Sequence, residues 1–358
     1  MVALFAIYLI LNLSLNLQLG YAGIPNFGLV LAVTGGAFTV GWFPIRLCMW
    51  IFNVDSQLGG NIVKNNAIIV SQINSHIQTQ PLIGLCVFIL TLIIAMGVGG
   101  LLGFISSYPA VRLRTDYLAI TLLALGEALS IIGRNYDPLV GGVIGILVPD
   151  VWSWLGRNRF TLITIVLLAA AIGTLLFLEL LARSPLCRAF RAMRDNEVAA
   201  LSMGKDVTKI RLEVLVLGSM ISGLAGALYA FYTCYVGPAV YGKLEWTFLP
   251  WLMVIFGGVG NNFGVALGTL IFITLRKLIV FYKYSFAFLP FDVVWLDYLL
   301  LGSIILLILI FRPSGMLKEK SSQTIPQKKL EKIIAESLKN QKTNIKPEEC
   351  IEKNPQKS

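Results

Sequence analysis

The chain has 358 residues, of which 56% are hydrophobic and only 13% charged, with a mean hydropathy of +0.77. Soluble domains are about a quarter charged, so a water-soluble enzyme, a DNA-binding protein and a disordered scaffold are excluded at once. A formal net charge of +10 does not bring nucleic acid back, because the surplus of Lys and Arg is spread over loops and the last 47 residues, as at a cytoplasmic membrane face.

The apolar sequence comes in runs of roughly 17–22 residues, the length an α-helix needs to cross a ~30 Å hydrocarbon core; barrel strands alternate over about ten. In chain order the runs fall at 2–19, 26–45, 82–105, 117–133, 160–181, 212–235, 246–259, 264–281 and 293–311. They predict an all-α, polytopic integral membrane protein with about nine transmembrane or re-entrant helices. The first run begins at Met1 without a basic leader or a small-residue cleavage site, which reads as a retained helix. Runs 26–45 and 246–259 are Gly-rich or short and read as re-entrant or broken segments.

Sidedness follows from Lys and Arg in short loops. Residues 182–211 carry Arg183, Arg188, Arg191, Arg194, Lys205, Lys209 and Arg211 and are expected in the cytoplasm. Counting crossings then puts 46–81 and 134–159 outside, the N-terminus outside and the C-terminus in the cytoplasm; Arg276, Lys277 and Lys283 fall on or near the outer face, against the trend. Within the cytoplasmic loop, Ser184 as N-cap, Pro185 at the first helical position and Gly204 as a stop predict one extramembrane helix over 184–204. Leu186, Ala189, Phe190 and Met193 share one face of it, and Arg188, Arg191 and Arg194 another. The apolar face needs a partner, either a protein or the membrane surface.

The expected division is a permease domain, 1–317, and a Lys-rich cytoplasmic tail, 318–358, punctuated by Pro326, Pro347 and Pro355. Leu330, Ile333, Ile334 and Leu338 allow a short amphipathic helix in that tail, on anionic lipid. The five cysteines form no C-x-x-C pair and the single histidine, His76, has no ligand cluster, so no disulfide framework, metal or other cofactor is supported. Gly237 to Lys243 matches G-x-x-x-x-G-K, but Leu244 stands where a Ser or Thr must hold Mg²⁺, and the phosphate-loop reading is dismissed.

Several passages together resemble the permease subunits of branched-chain (hydrophobic) amino-acid ABC importers. They are Gly20-Tyr21-Ala22-Gly23, Tyr117 to Leu122 with Gly126-Glu127, and the loop from Ser184-Pro185 through Asn196-Glu197 to Gly204. Ser222 to Tyr229, the Gly257–Gly260 cluster with Gly264, and Phe311-Arg312-Pro313 with Gly315 complete the set, which spans about residues 20 to 317. The chain departs from the family pattern at Cys187, where Gly is usual, and at Ile24 to Gly28 after the first turn.

The resemblance implies that 184–204 is a coupling helix docking on cytoplasmic ATP-binding subunits. Arg188, Phe190, Arg191, Met193, Glu197, Ala200 and Gly204 are its contact candidates, with Phe190 or Met193 as the anchor in the partner's groove. It further implies a second homologous permease, an external solute-binding protein and a plasma-membrane location. The chain itself has no nucleotide site and no catalytic Ser/His/Asp or Cys/His set, so it is expected not to be an enzyme.

Pathway candidates are Asn12, Asn16, Tyr21, Glu127, Gly257, Gly258 and Gly260. Glu127 is the acid deepest in a span, either lining the pathway or bonded to an amide such as Asn12 or Asn16. Asn12 and Asn16 share a helix face and either meet substrate or bond between helices. Gly257 to Gly260 either break a helix at a binding site or, with the G-x-x-x-G of Gly264 and Gly268, pack helices closely. A permease for urea or short amides, an ion-coupled secondary transporter built on Glu127 and a membrane-embedded enzyme are the alternatives, the last lacking any catalytic constellation.

Overall fold

An apolar chain in a bilayer satisfies its backbone by forming helices, and in this computed structural model the helices account for nearly all the residues described: 1–54, 62–113, 115–281, 302, 303, 306, 310 and 315–319. The first helix, α1 (Val2–Leu15), runs on as a π-helical turn, Asn16–Tyr21. Then come α2 (Leu29–Phe52), α3 (Asn66–Thr79), α4 (Pro81–Arg112), α5 (Thr115–Asn135) and α6 (Arg159–Arg183). Two short helices follow, α7 (Pro185–Asp195) and α8 (Glu197–Ser202), then α9 (Val207–Thr233), α10 (Leu249–Gly257) behind a π-turn Leu244–Phe248, and α11 (Asn262–Phe281).

Seven helices among the described residues are long and apolar enough to cross a membrane, and Leu244–Gly257 is a shorter apolar helix. The count of nine is not reached among the described residues, because all of run 293–311 but residues 302, 303, 306 and 310 lies outside them. So do Phe311 to Pro313 and the tail from 320, including its amphipathic segment. Run 26–45 is corrected: from Leu29 on it is neither re-entrant nor broken but lies in a continuous 24-residue helix that carries Pro44 within it. Run 246–259 is short, as expected, and α10 stops at Gly258, whose φ of 113° only glycine tolerates.

Three helices form the inner layer. α1 is buried on all sides from Ala6 to Leu17, and α2 and α9 are mostly buried, whereas α4, α5 and α6 keep long apolar faces exposed. Glycines set the spacing of α2, α4 and α9. A Cβ on Gly36 would run into the Gly223 carbonyl, one on Gly226 into the Val33 carbonyl, and one on Gly99 would lie 2.6 Å from the Ser219 carbonyl. Small residues permit this approach, and in lipid close packing replaces the hydrophobic drive.

One end of the bundle carries the turns around residues 22–28, 113, 184–206 and 258–261; it is the basic end. The opposite end holds α3 and a two-residue antiparallel pairing of β1 (Ile146–Leu147) with β2 (Tyr235–Val236). The Asn-rich stretch before α4 thus holds a helix that its composition concealed. Ile69, Ile73 and Ile77 bury one face of α3, Asn66 exchanges two hydrogen bonds with the backbone of Leu147, and Asn74 accepts from the Asp150 N–H at 2.8 Å.

Candidate functional site

The basic end is built from the α7–α8 elbow. Ser184 caps α7 as the sequence requires, its Oγ accepting the Cys187 N–H at 3.3 Å, and Pro185 opens the helix. The single helix over 184–204 is corrected to two. Asn196 leaves helical geometry at φ −159° and caps α8 instead, its Oδ1 accepting the Ala199 N–H at 3.0 Å. Asn offers the backbone such a local alternative, which is why the helix breaks there. Gly204 ends α8 with φ +76°.

The apolar face of α7 is spent on the chain itself. Cys187, Phe190 and Met193 are buried in the core, so Phe190 and Met193 are corrected as anchors for a partner: side chains already enclosed cannot fill another protein's groove. Burial pushes the Cys187 thiol above its ordinary pKa. Ala200 also faces inward, and Glu197 pairs with Arg211 at 2.8 Å while Arg211 donates to the Ala110 carbonyl. What the elbow offers outward is Arg188 together with Val198, Leu201 and Met203, which are 72%, 53% and 82% exposed.

Arg191 and Arg194 point the other way, toward α1. The Arg191 guanidinium lies 5.0 Å over the ring of buried Tyr21, and Arg194 donates to the Gly20 carbonyl. Both meet Glu319, Arg194 at 2.9 Å and Arg191 at 3.6 Å. Burial alone would lower the Arg194 pKa, but the hydrogen bond and charge of Glu319, and then of Asp195, outweigh it and hold it above the ordinary value.

The amides of α1 act between helices. Asn12 donates to Thr269 at 2.7 Å and to the Met253 sulfur; Asn16 donates to Asn262 at 2.9 Å and accepts the Gly260 N–H at 2.8 Å. Gln18 accepts from Asn26 at 2.7 Å. Gly257, Gly258 and Gly260 do break the chain between α10 and α11, yet their backbone groups are largely taken: the Gly257 carbonyl accepts from Leu317, and the Gly258 N–H donates to Val254. Gly257 also packs against Gly264 and Gly268, which is the helix-packing reading of that cluster.

Glu127 bonds to neither Asn12 nor Asn16. Its partner is Lys243, at 3.7 Å, and both side chains remain partly exposed. Lys243 escaped sequence reading because nothing in the local sequence shows that the 237–243 loop runs beside α5, where Pro238 lies near Gly133. Arg276, expected on or near the outer face, lies toward that end of α11 and its charge is not left alone. It pairs with Glu245 at 2.7 Å, and Glu245 also accepts from Tyr8. An Arg inside a span demands an acidic partner, and that demand was the signal in the sequence.

The family described as "Branched-chain amino acid transport system / permease component" matches residues 1–309. The chain is 40% identical to the probable branched-chain amino acid transport permease protein LivM of Methanocaldococcus jannaschii, covering 91% of this chain and 94% of that protein. It is 28% identical to the high-affinity LivM permease protein of Salmonella typhimurium and 27% identical to that of Escherichia coli, in each case over 90% of this chain and 70% of the relative. No solved structure matches. With the family matched over most of its length and a relative aligned nearly end to end, this multi-pass chain of apolar helices belongs to the branched-chain amino acid transport permeases.

Proposed function

We propose that the chain is one membrane subunit of an ATP-driven importer for branched-chain and other hydrophobic amino acids. The observation that carries this is the elbow: three large apolar side chains, Val198, Leu201 and Met203, stand in the open outside the spans, in the Arg-rich loop. A soluble chain hides such side chains, and an exposed apolar cluster rimmed by polar residues marks a protein interface. In this reading the basic end is cytoplasmic, by its Lys and Arg, the C-terminus lies there too, and the location is the plasma membrane. The elbow docks on an ATP-binding subunit, with Arg188 at its rim and Glu197 and Gly204 fixing its shape. ATP is hydrolysed by those subunits, and this chain contributes the path.

A second, homologous permease completes the pathway, and an external solute-binding protein delivers substrate to the end that carries α3. Lipid covers the outer faces of α4 and α6, and no nucleic acid is involved. Glu127 and Lys243 line the pathway: a half-exposed charge pair beside a span cannot face hydrocarbon, so that face of α5 meets water or protein. A stand-alone ion-coupled transporter would need Glu127 free to exchange a cation, and it is already engaged by Lys243.

The test begins with the tagged chain purified in mild detergent from its host and reconstituted in liposomes. ATPase subunits should co-purify, and leucine uptake should require ATP. The triple change Val198→Asp, Leu201→Asp, Met203→Asp should leave the chain monodisperse but lower ATPase recovery about tenfold or more, as expected when interface anchors are lost. Full recovery of the ATPases by that variant, or leucine uptake by the chain alone, refutes the reading.

A further inference from the structure

The segment Gly315–Glu319 is held against the bundle by backbone hydrogen bonds. It is laid along the turn between α10 and α11. The Met316 N–H donates to the Phe256 carbonyl at 3.0 Å and the Leu317 N–H to Gly257 at 3.1 Å, while the Asn261 amide donates to the Lys318 carbonyl at 3.1 Å. The contact is backbone on backbone: a Cβ on Gly315, itself at φ +69°, would lie 2.6 Å from the Gly258 Cα, and one on Gly260 would lie 2.9 Å from the Glu319 carboxyl carbon. The segment reaches Glu319, whose carboxylate takes the paired arginines of α7.

Three pieces of chain remote in sequence therefore converge on the cluster that Glu319 forms with Arg191 and Arg194. They are α7 through Arg191 and Arg194, the π-turn of α1 through Gly20 and Tyr21, and the α10–α11 turn through Gly260, whose N–H is held by Asn16 of that same π-turn. Without Glu319, two half-buried guanidiniums would face this junction with Asp195, the Gly20 carbonyl and an aromatic ring as their remaining partners, and α7 would lose its ionic link to the other two pieces. A unit that moves α7 has to move them as well.

We propose that Gly315–Glu319 is a coupling strap and that Glu319 is the positioning residue that ties motion of the α7–α8 elbow to the inner end of α1 and to the α10–α11 turn. This rests on the reading of the elbow as the docking site of an ATP-binding subunit. A π-turn and a glycine turn are the parts of the bundle whose hydrogen bonding rearranges most easily, so pull applied through the strap is delivered where the helices yield. The acid acts by geometry and charge, and no chemical step is assigned to it.

The experiment compares Glu319→Gln and Glu319→Asp with the parent chain, each in the complete complex with its ATP-binding and solute-binding partners, and reads leucine moved per ATP hydrolysed. A second readout is maleimide labelling of Cys187, on the buried face of α7, with the other four cysteines replaced by serine. Glu319→Gln should lower leucine per ATP about tenfold and raise the Cys187 labelling rate by a similar factor, the size of ordinary coupling free energies. Glu319→Asp should keep both close to the parent, and Arg194→Glu combined with Glu319→Arg should restore part of what either change removes. Parental leucine per ATP in Glu319→Gln overturns the strap, as does unchanged labelling. Equal losses of thermal stability in the Gln and Asp variants, without a change in the ratio, overturn it in favour of a purely structural contact. The labelling needs no ATPase, so it decides the strap even if uptake proves independent of ATP and the docking reading falls.

Discussion

Asn16 shows how much a single side chain holds together. Fully buried, it donates to Asn262 and accepts from Gly260, joining α1 to both sides of the α10–α11 turn. Asn16→Ala leaves a buried amide and a buried N–H without that partner, at a cost of about 1–3 kcal/mol; a lower melting temperature in detergent, with the helical content intact, is the expected result. An unchanged melting temperature would mean the bonds contribute nothing net, as some interhelical bonds in membranes do. The presence of Asn12 and Asn16 on one helix face is legible in the sequence, because two amides in an apolar run are conspicuous. Their partners are not, since Asn262 and Thr269 lie some 250 residues away and no local pattern points to them. Glu127 and Lys243 fail the same way: the acid is conspicuous in its span, whereas its cation sits in a loop whose depth only the fold sets.

At the level of elements, helix length and hydropathy are strong signals, and the long spans of α1, α4, α5, α6 and α9 fall close to their apolar runs. Breaks are weaker signals. Glycine richness in α2 suggested a broken segment, yet Gly36 and its neighbours serve packing: without side chains they admit α9 to backbone contact. Gly36→Ala should therefore destabilise by more than about 2 kcal/mol through forced separation of α2 and α9, whereas Gly97→Ala, which meets nothing within 4 Å, should be neutral or mildly stabilising. Melting the two variants side by side checks this, and equal melting temperatures would contradict it. The opposite error occurs at α7–α8, where the end signals Ser184, Pro185 and Gly204 suggested one helix but the side chain of Asn196 caps a second. Periodicity also located the apolar face of α7 correctly without saying who covers it, and the chain covers it itself.

For the whole molecule, the question is which surface meets lipid. α6 turns Ile165, Ile172 and Leu176 outward with no charge among them, whereas the exposed strip of α5 includes Ala124 one turn from Glu127. Cysteine placed at Ala124 should react with a membrane-impermeant maleimide in the isolated chain and be shielded when the second permease is bound. Cysteine at Ile172 should react only with a lipid-soluble reagent in either state. Reaction of both positions with the lipid-soluble reagent alone would put the Glu127 face in hydrocarbon and remove it from the pathway.

Synthesis order gives the strap a further consequence. Arg194 is made 125 residues before Glu319, an interval of ~6–25 s at ordinary elongation rates of ~5–20 residues per second. Throughout that interval the nascent chain exposes its basic elbow without the acid that seats it. Residues 315–319 thus act as a completion mark: only a chain translated through Glu319 holds the elbow in its final pose, and one that stops short of it offers any assembling partner a loose one.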